Sequence, residues 1–203
     1  MTELVPLQLR PQSAPPTSGA SAVFLDRDGV LNDVVGDGRT AASPRSVDEL
    51  RIADAAPDAI AALRGAGYRL IVVTNQPDVA RGRLSSADAL AITGSVVDAL
   101  GLDDAFVCPH DSGDGCGCRK PKPGLLSAAS GAWGIDLATS WLIGDRWVDI
   151  AAANAAGVRS VLLRRAYSMD PAGGVPADLA ASTPDHTGDT LAAVVGAILG
   201  LAA

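Results

Sequence analysis

The apolar positions fall into short runs set between stretches of helical period. Ala22-Val23-Phe24-Leu25, Leu70-Ile71-Val72-Val73, Phe106-Val107, Trp141-Leu142-Ile143 and Val161-Leu162-Leu163 are apolar without alternation. Such runs predict strands covered on both faces. Helices are predicted from Pro57 to Gly65, from the capping-box-like Ser85-Ser86-Ala87-Asp88 to about Leu100, from Pro123 to Gly131, from Ile150 to Ala156 and over 190–201. Strands alternating with helices predict an α/β fold, a doubly wound (Rossmann-like) parallel sheet with right-handed crossovers. Residues 1–20 carry four prolines among Ser, Gln and Thr and read as a disordered tail ahead of a single domain over 21–203. Residues 33–48 and the Pro/Gly-rich stretch 168–188 read as loops, with His186 exposed and without a role.

Polar groups sit at the ends of the apolar runs. Asp26 and Asp28 follow the first, Thr74-Asn75-Gln76 the second, Cys108 the third and Asp145 the fourth. In a parallel sheet these ends share one edge, where sites form. Asp26 and Asp28, two apart on extended chain, face one spot if the chain turns at Gly29, and crowded carboxylates need a cation or a retained proton. The pattern suggests a Mg²⁺ site beside an ionised nucleophile, with Asp145 as a further oxygen ligand. Asp149, one helical turn on, reads either as a residue behind the metal ligands or as a helix cap.

Composition narrows the chemistry. The 203 residues are 48% hydrophobic, 3% aromatic and 19% charged, with a net charge of −7. That charge sets nucleic acid and anionic membranes aside as partners. No signal peptide is evident and no apolar run nears the ~20 residues of a membrane span, so a soluble cytoplasmic protein, and a monomer, is expected. The chain's two lysines, Lys120 and Lys122, both fall in Arg119-Lys120-Pro121-Lys122-Pro123. A lysine supplies a compact ammonium for a phosphoryl oxygen; Arg119 supplies a planar fork for a second phosphate or a sugar hydroxyl. All three cysteines and one of two histidines form Cys108-Pro109-His110…Cys116-Gly117-Cys118. That is the Cys₃His set of a closed, structural Zn²⁺ site. Walker, dinucleotide and G-x-S-x-G motifs are absent.

These motifs together resemble the haloacid dehalogenase (HAD) superfamily phosphatases, in the group containing D-glycero-D-manno-heptose 1,7-bisphosphate phosphatase and the histidinol-phosphatase domain. The resemblance runs from Phe24 to about Gly157 and includes Ala80-Arg81-Gly82. It implies that Asp26 attacks phosphorus to form an aspartyl-phosphate, and that Asp28 protonates the leaving oxygen and then deprotonates water. It also implies that Mg²⁺ is held by Asp26, the Asp28 backbone carbonyl and Asp145, and that Thr74 and Lys120 hold the remaining phosphoryl oxygens. Asn75, Gln76 and Arg119 would face the rest of a small phosphorylated sugar or amino alcohol; Arg146, read from its place after Asp145, either reaches the substrate or covers the site. The span between the first two motifs holds one predicted helix, which leaves no room for a large cap domain; loops near 33–46, 76–82 and 108–118 would set specificity. A heptose bisphosphate is the expected substrate and histidinol phosphate the alternative. A catalytically inactive zinc-stabilised binding module is the remaining reading, although every expected catalytic position is filled.

Overall fold

Leu70 and Val72 pack into one apolar cluster and Ile71 and Val73 into another, and all four are fully buried. One strand thus supplies two cores, as expected where helices cover both faces of a sheet. In this computed structural model, which describes residues 5–11, 19–36, 41–168 and 182–200, the sheet has seven strands. They are β1 (Leu7–Gln8), β2 (Ala22–Leu25), β3 (Arg69–Asn75), β4 (Asp104–Cys108), β5 (Trp141–Gly144), β6 (Arg159–Leu163) and β7 (His186–Gly188). The helices are α1 (Ala56–Gly65), α2 (Ser86–Leu100), α3 (Gly124–Trp133), α4 (Trp147–Ala156) and α5 (Leu191–Leu199). Apolar residues of α1, α2 and α5 join the first cluster, and those of α3 and α4 the second.

The strand order is β1-β4-β3-β2-β5-β6-β7, parallel except for β1. The chain leaves β2 toward β3 and β4, then returns to β5 on the other side of β2. That reversal opens a crevice beyond the carboxyl ends of β2 and β5. Between β2 and α1 the described residues form a loop, with no domain of their own, in which Val35 and Ala42 exchange backbone hydrogen bonds of 2.8 and 3.0 Å. No described helix is long and apolar enough to cross a membrane.

Two expectations from sequence need correction. His186 does not lie in a loop: it opens β7, pairs with Val161 and stands 5.8 Å from the Trp141 ring. Of the expected connection, residues 169–181 lie outside the described residues. Residues 5–11 are not a free tail, because β1 adds antiparallel to the edge strand β4. Its anchor is Asp104, fully buried, which accepts hydrogen bonds from Gln8 Nε2 (2.7 Å), the Arg10 backbone N–H (2.7 Å) and Trp133 Nε1 (2.9 Å). Deleting residues 1–11 takes two of these donors from a buried carboxylate. A loss of about 1–3 kcal/mol is expected in urea unfolding, with turnover unchanged, since the clip lies at the far edge of the sheet.

Candidate active site

Asp26 directly follows β2, and its backbone N–H donates to Ile143 O of β5 at 2.9 Å, so the crevice is closed beneath it. Asp145 directly follows β5. Asp149 sits in the first turn of α4, where its Oδ2 accepts from the Arg146 backbone N–H at 3.0 Å. One carboxylate oxygen each from Asp26, Asp145 and Asp149 lies within 4.8 Å of the others, all three residues being buried. Gly144 permits the approach, since a Cβ there would stand 2.2 Å from Asp149 Cβ.

Against these three carboxylates the structure sets one buried ammonium. Lys120 Nζ is 2.9 Å from Asp26 Oδ1 and 2.5 Å from Asp149 Oδ1, and donates to Val73 O at 2.8 Å. Asn75 grips the Lys120 peptide on both sides: its Nδ2 donates to Lys120 O at 3.0 Å and its Oδ1 accepts from Lys120 N at 3.1 Å. Burial would lower the Lys120 pKa, but Asp149 and Asp26 outweigh it and the ammonium is held above its usual range. Burial pushes Asp26 up to about 6 against the pull of Lys120, with Asp149 and Asp28 adding to the rise. Asp145 is raised well above the carboxylate range, by burial first and then by the charges of Asp26 and Asp149. Neither Asp145 oxygen has a well-formed hydrogen bond in the structure. A buried carboxylate in that condition is costly unless a cation meets it. With all three carboxylates ionised, one ammonium leaves a local excess of two negative charges, which a divalent cation would cancel, so the residues fit Mg²⁺.

Asp28 stands apart from this cluster. Arg27 takes it in a fork, Nε to Oδ1 at 3.0 Å and Nη2 to Oδ2 at 2.9 Å. Asn32 Nδ2 (3.0 Å), Ser43 Oγ (2.8 Å) and Gln76 Nε2 (2.9 Å) also donate to it. Burial alone would raise its pKa, but Arg27 and these donors outweigh burial and keep it ionised. Gln76 is fully buried and donates to Thr74 Oγ1 at 3.0 Å as well, so it supports Asp28 and Thr74 from behind and does not line the cavity. Its amide spends the Thr74 lone pair and leaves that hydroxyl's proton free to donate.

The Cys₃His set comes together as the spacing predicts. His110 Nδ1 lies 3.5 Å from Cys108 Sγ and 3.3 Å from Cys118 Sγ; Cys108 Sγ lies 3.8 Å from Cys116 and 3.3 Å from Cys118. Tetrahedral zinc with bonds of about 2.0–2.3 Å has ligand–ligand edges of about 3.3–3.8 Å, so the four atoms are spaced for one ion. Hydrogen bonding from Cys118, and further from His110, draws the Cys108 thiol down to about 5, while that same bond and burial push the Cys118 thiol up, so the metal-free loop favours one thiolate.

The crevice opens into a cavity of about 570 Å³, lined by Asp26, Asp28, Thr74 and Lys120 at its floor. Arg81, Asp111, Arg119 and Lys122 line its outer wall, with Arg146 and Val148 on the α4 side. Arg81 holds Asp111 through two hydrogen bonds of 2.7 and 2.8 Å. Arg119 donates to His110 O at 3.2 Å and Lys122 to Cys116 O at 2.6 Å, which ties the wall to the Cys/His loop. Arg27, Ser43, Asp111 and Tyr167 carry no motif in the sequence and enter the site only through the fold. Arg27, in the bend after β2, reaches Asp28 with Nε and Nη2 and Thr93 of α2 with Nη1 at 3.0 Å, contacts that no local period in the sequence records.

Comparison with known proteins agrees with this arrangement. A family model for haloacid dehalogenase-like hydrolases matches residues 33–157. The chain belongs to that family. It is 36% identical to the D-glycero-β-D-manno-heptose-1,7-bisphosphate 7-phosphatase of Vibrio cholerae, over 71% of this chain and 81% of the relative. The Escherichia coli protein of the same name is also 36% identical, over 74% and 82%. A solved structure of D,D-heptose 1,7-bisphosphate phosphatase from B. bronchiseptica, complexed with magnesium and phosphate, superposes with a TM-score of 0.70 at 32% identity, covering 89% of this chain and 98% of that one. This haloacid dehalogenase-like chain is a phosphatase, without a large cap among its described residues.

Proposed function

We propose that the chain is a Mg²⁺-dependent phosphatase acting through an aspartyl-phosphate, that it removes the 7-phosphate of D-glycero-β-D-manno-heptose 1,7-bisphosphate, and that it works as a cytoplasmic monomer. The observation that carries the substrate choice is the charge of the outer wall. In a chain of net charge −7, Arg81, Arg119 and Lys122 gather there against Asp111, whose carboxylate Arg81 already holds. A bisphosphate brings a second anion for that wall. Histidinol phosphate brings an ammonium, which the wall repels. The names of the relatives agree with the bisphosphate.

In the first step an Asp26 carboxylate oxygen bonds to phosphorus as the bond from phosphorus to the sugar oxygen breaks. The electron pair leaves on that oxygen, which takes a proton from Asp28. In the free site Asp28 is ionised; a negative phosphoryl group arriving beside it raises its proton affinity, so that it takes up a proton from solvent as substrate binds or keeps the one gained from water in the preceding turnover. In the second step water attacks phosphorus, its proton returns to Asp28, and the acyl-phosphate bond breaks to free Asp26 and inorganic phosphate. The Thr74 hydroxyl would meet one phosphoryl oxygen, and the Lys120 ammonium another by turning an N–H from Asp26 to the phosphoryl group. Asp26, Asp145 and the Asp28 carbonyl would hold Mg²⁺, which would neutralise phosphoryl charge and favour ionised Asp26. The Cys₃His loop would hold structural Zn²⁺.

The test is phosphate release with Mg²⁺ from both anomers of heptose 1,7-bisphosphate and from histidinol phosphate, with Asp26→Asn as the blank. A kcat/KM at least about a hundredfold higher for the bisphosphate is expected, equivalent to ~2.7 kcal/mol of differential transition-state binding. A preference for histidinol phosphate would overturn the substrate, and release persisting in Asp26→Asn would overturn the nucleophile.

A further inference from the structure

The structure assigns to Tyr167 the role of positioning Asp145 for the divalent cation, an inference that rests on the metal reading above. Asp145 is almost fully buried, yet neither of its oxygens has a well-formed hydrogen bond to orient it. What stands over it is the Tyr167 hydroxyl. Both groups crowd the space above Gly29, whose φ of +84° no side chain adopts easily: a Cβ there would lie 2.1 Å from Asp145 Oδ2 and 2.5 Å from the Tyr167 oxygen. Gly29 belongs to the turn that carries Asp26 and Asp28, so the hydroxyl reaches Asp145 at the point where the two motif turns meet.

Tyr167 does not reach there on a free loop. Its turn is closed by Ser168 N donating to Arg165 O at 3.1 Å and by Arg165 N donating to Ser168 Oγ at 2.7 Å. It is stapled to the Asp26 turn by Arg165, whose Nε and Nη2 donate to Gly29 O at 3.2 and 3.1 Å. It is stapled to the Asp145 turn by Trp147 N, which donates to Ser168 O at 3.1 Å. The Arg146 guanidinium covers the ring, 4.8 Å from its centroid. The hydroxyl is therefore delivered by a fixed turn to a carboxylate that lacks other donors. A protonated oxygen so placed can donate to one Asp145 oxygen and leave the other for the cation. Partners of that kind set the orientation of a ligating carboxylate and its affinity for metal.

Tyr167→Phe removes the hydroxyl and keeps the ring under Arg146. Mn²⁺ binding to the free protein, read by electron paramagnetic resonance, is expected to weaken by about 10–100-fold. The Mg²⁺ concentration for half-maximal phosphate release should rise in step, and excess Mg²⁺ should restore most of the turnover. A merely structural role would instead lower the melting temperature in chelator and would not be rescued by the ion. Arg165→Gln, which loosens the turn from Gly29 and leaves Tyr167 intact, is expected to weaken Mn²⁺ binding in the same direction. Tyr167→Phe binding Mn²⁺ as tightly as the unaltered protein would overturn the assignment and leave the phosphatase reading standing. Unaltered protein that bound neither ion would overturn the metal reading and this inference with it.

Discussion

Lys120→Met is expected to lower phosphate release by at least about a thousandfold and to cost the metal-free fold about 3–5 kcal/mol. Methionine matches the aliphatic stem as far as Cε and removes the ammonium beyond it. What remains is a buried cluster of Asp26, Asp145 and Asp149 without its ammonium, because Lys120 Nζ is the cation at 2.9 Å from Asp26 and 2.5 Å from Asp149. The deficit should depend on pH with a definite sign. Asp26 in the fold has a pKa of about 6, above its ordinary 3.8, held up by burial and pulled down by Lys120. A carboxyl that binds its proton more tightly when folded adds stability below its unfolded pKa and loses that contribution as pH rises through its folded one. Without the ammonium, the folded value climbs further, so ionised Asp26 costs more. The variant's deficit should be smallest near pH 5 and widen toward pH 8 in chelator, as read by urea unfolding. Equal deficits at both pH values would show that Lys120 does not bear on Asp26 in this way.

Two acids of this site, Asp26 and Asp145, were legible because each directly follows an apolar run. Asp26 and Asp145 end β2 and β5, and the parallel order that the alternation predicts makes those strands able to neighbour one another. What the pattern could not carry was side-chain traffic across the sheet edge. Asn75 and Gln76 sit in a row with Thr74, and all three read as substrate-facing. Asn75 does line the cavity but also grips the Lys120 peptide, and Gln76 is spent on Asp28, pairings 45 and 48 residues apart that no local period records. Asp149 read equally well as a helix cap or as a residue of the metal site; it caps the Arg146 N–H with one oxygen and meets Lys120 with the other. The strands β1 and β7 are two and three residues long, too short for any periodic signal, and exist through pairing with β4 and β6. Tyr167 lies in a turn whose order comes from Arg165 reaching back to Gly29, 136 residues away.

Cys118→Ser is expected to release the zinc, lower the melting temperature by roughly 8–16 °C, and raise KM for the bisphosphate more than it lowers kcat. The stability estimate takes an ion present at about a thousand times its dissociation constant, worth ~4 kcal/mol, and the usual few degrees per kcal/mol for a chain of this size. The split between KM and kcat follows from what each cation leans on. Lys120 is gripped by Asn75 at its peptide and by Val73 O at its ammonium, both from β3, so it keeps its place when the loop loosens. Arg119 leans on His110 O, Lys122 on Cys116 O, and the partner of Arg81 is Asp111, all in the Cys/His loop. Losing the ion should therefore scatter the outer wall and spare the floor. KM for the bisphosphate should rise by about tenfold or more while kcat falls by about threefold or less. A monophosphate without the second anion should show a much smaller rise, because it never met that wall. A collapse of kcat with KM unmoved would reverse the picture: the ion would then be holding Lys120 itself, and the grip of Asn75 would be too weak to hold the ammonium in register.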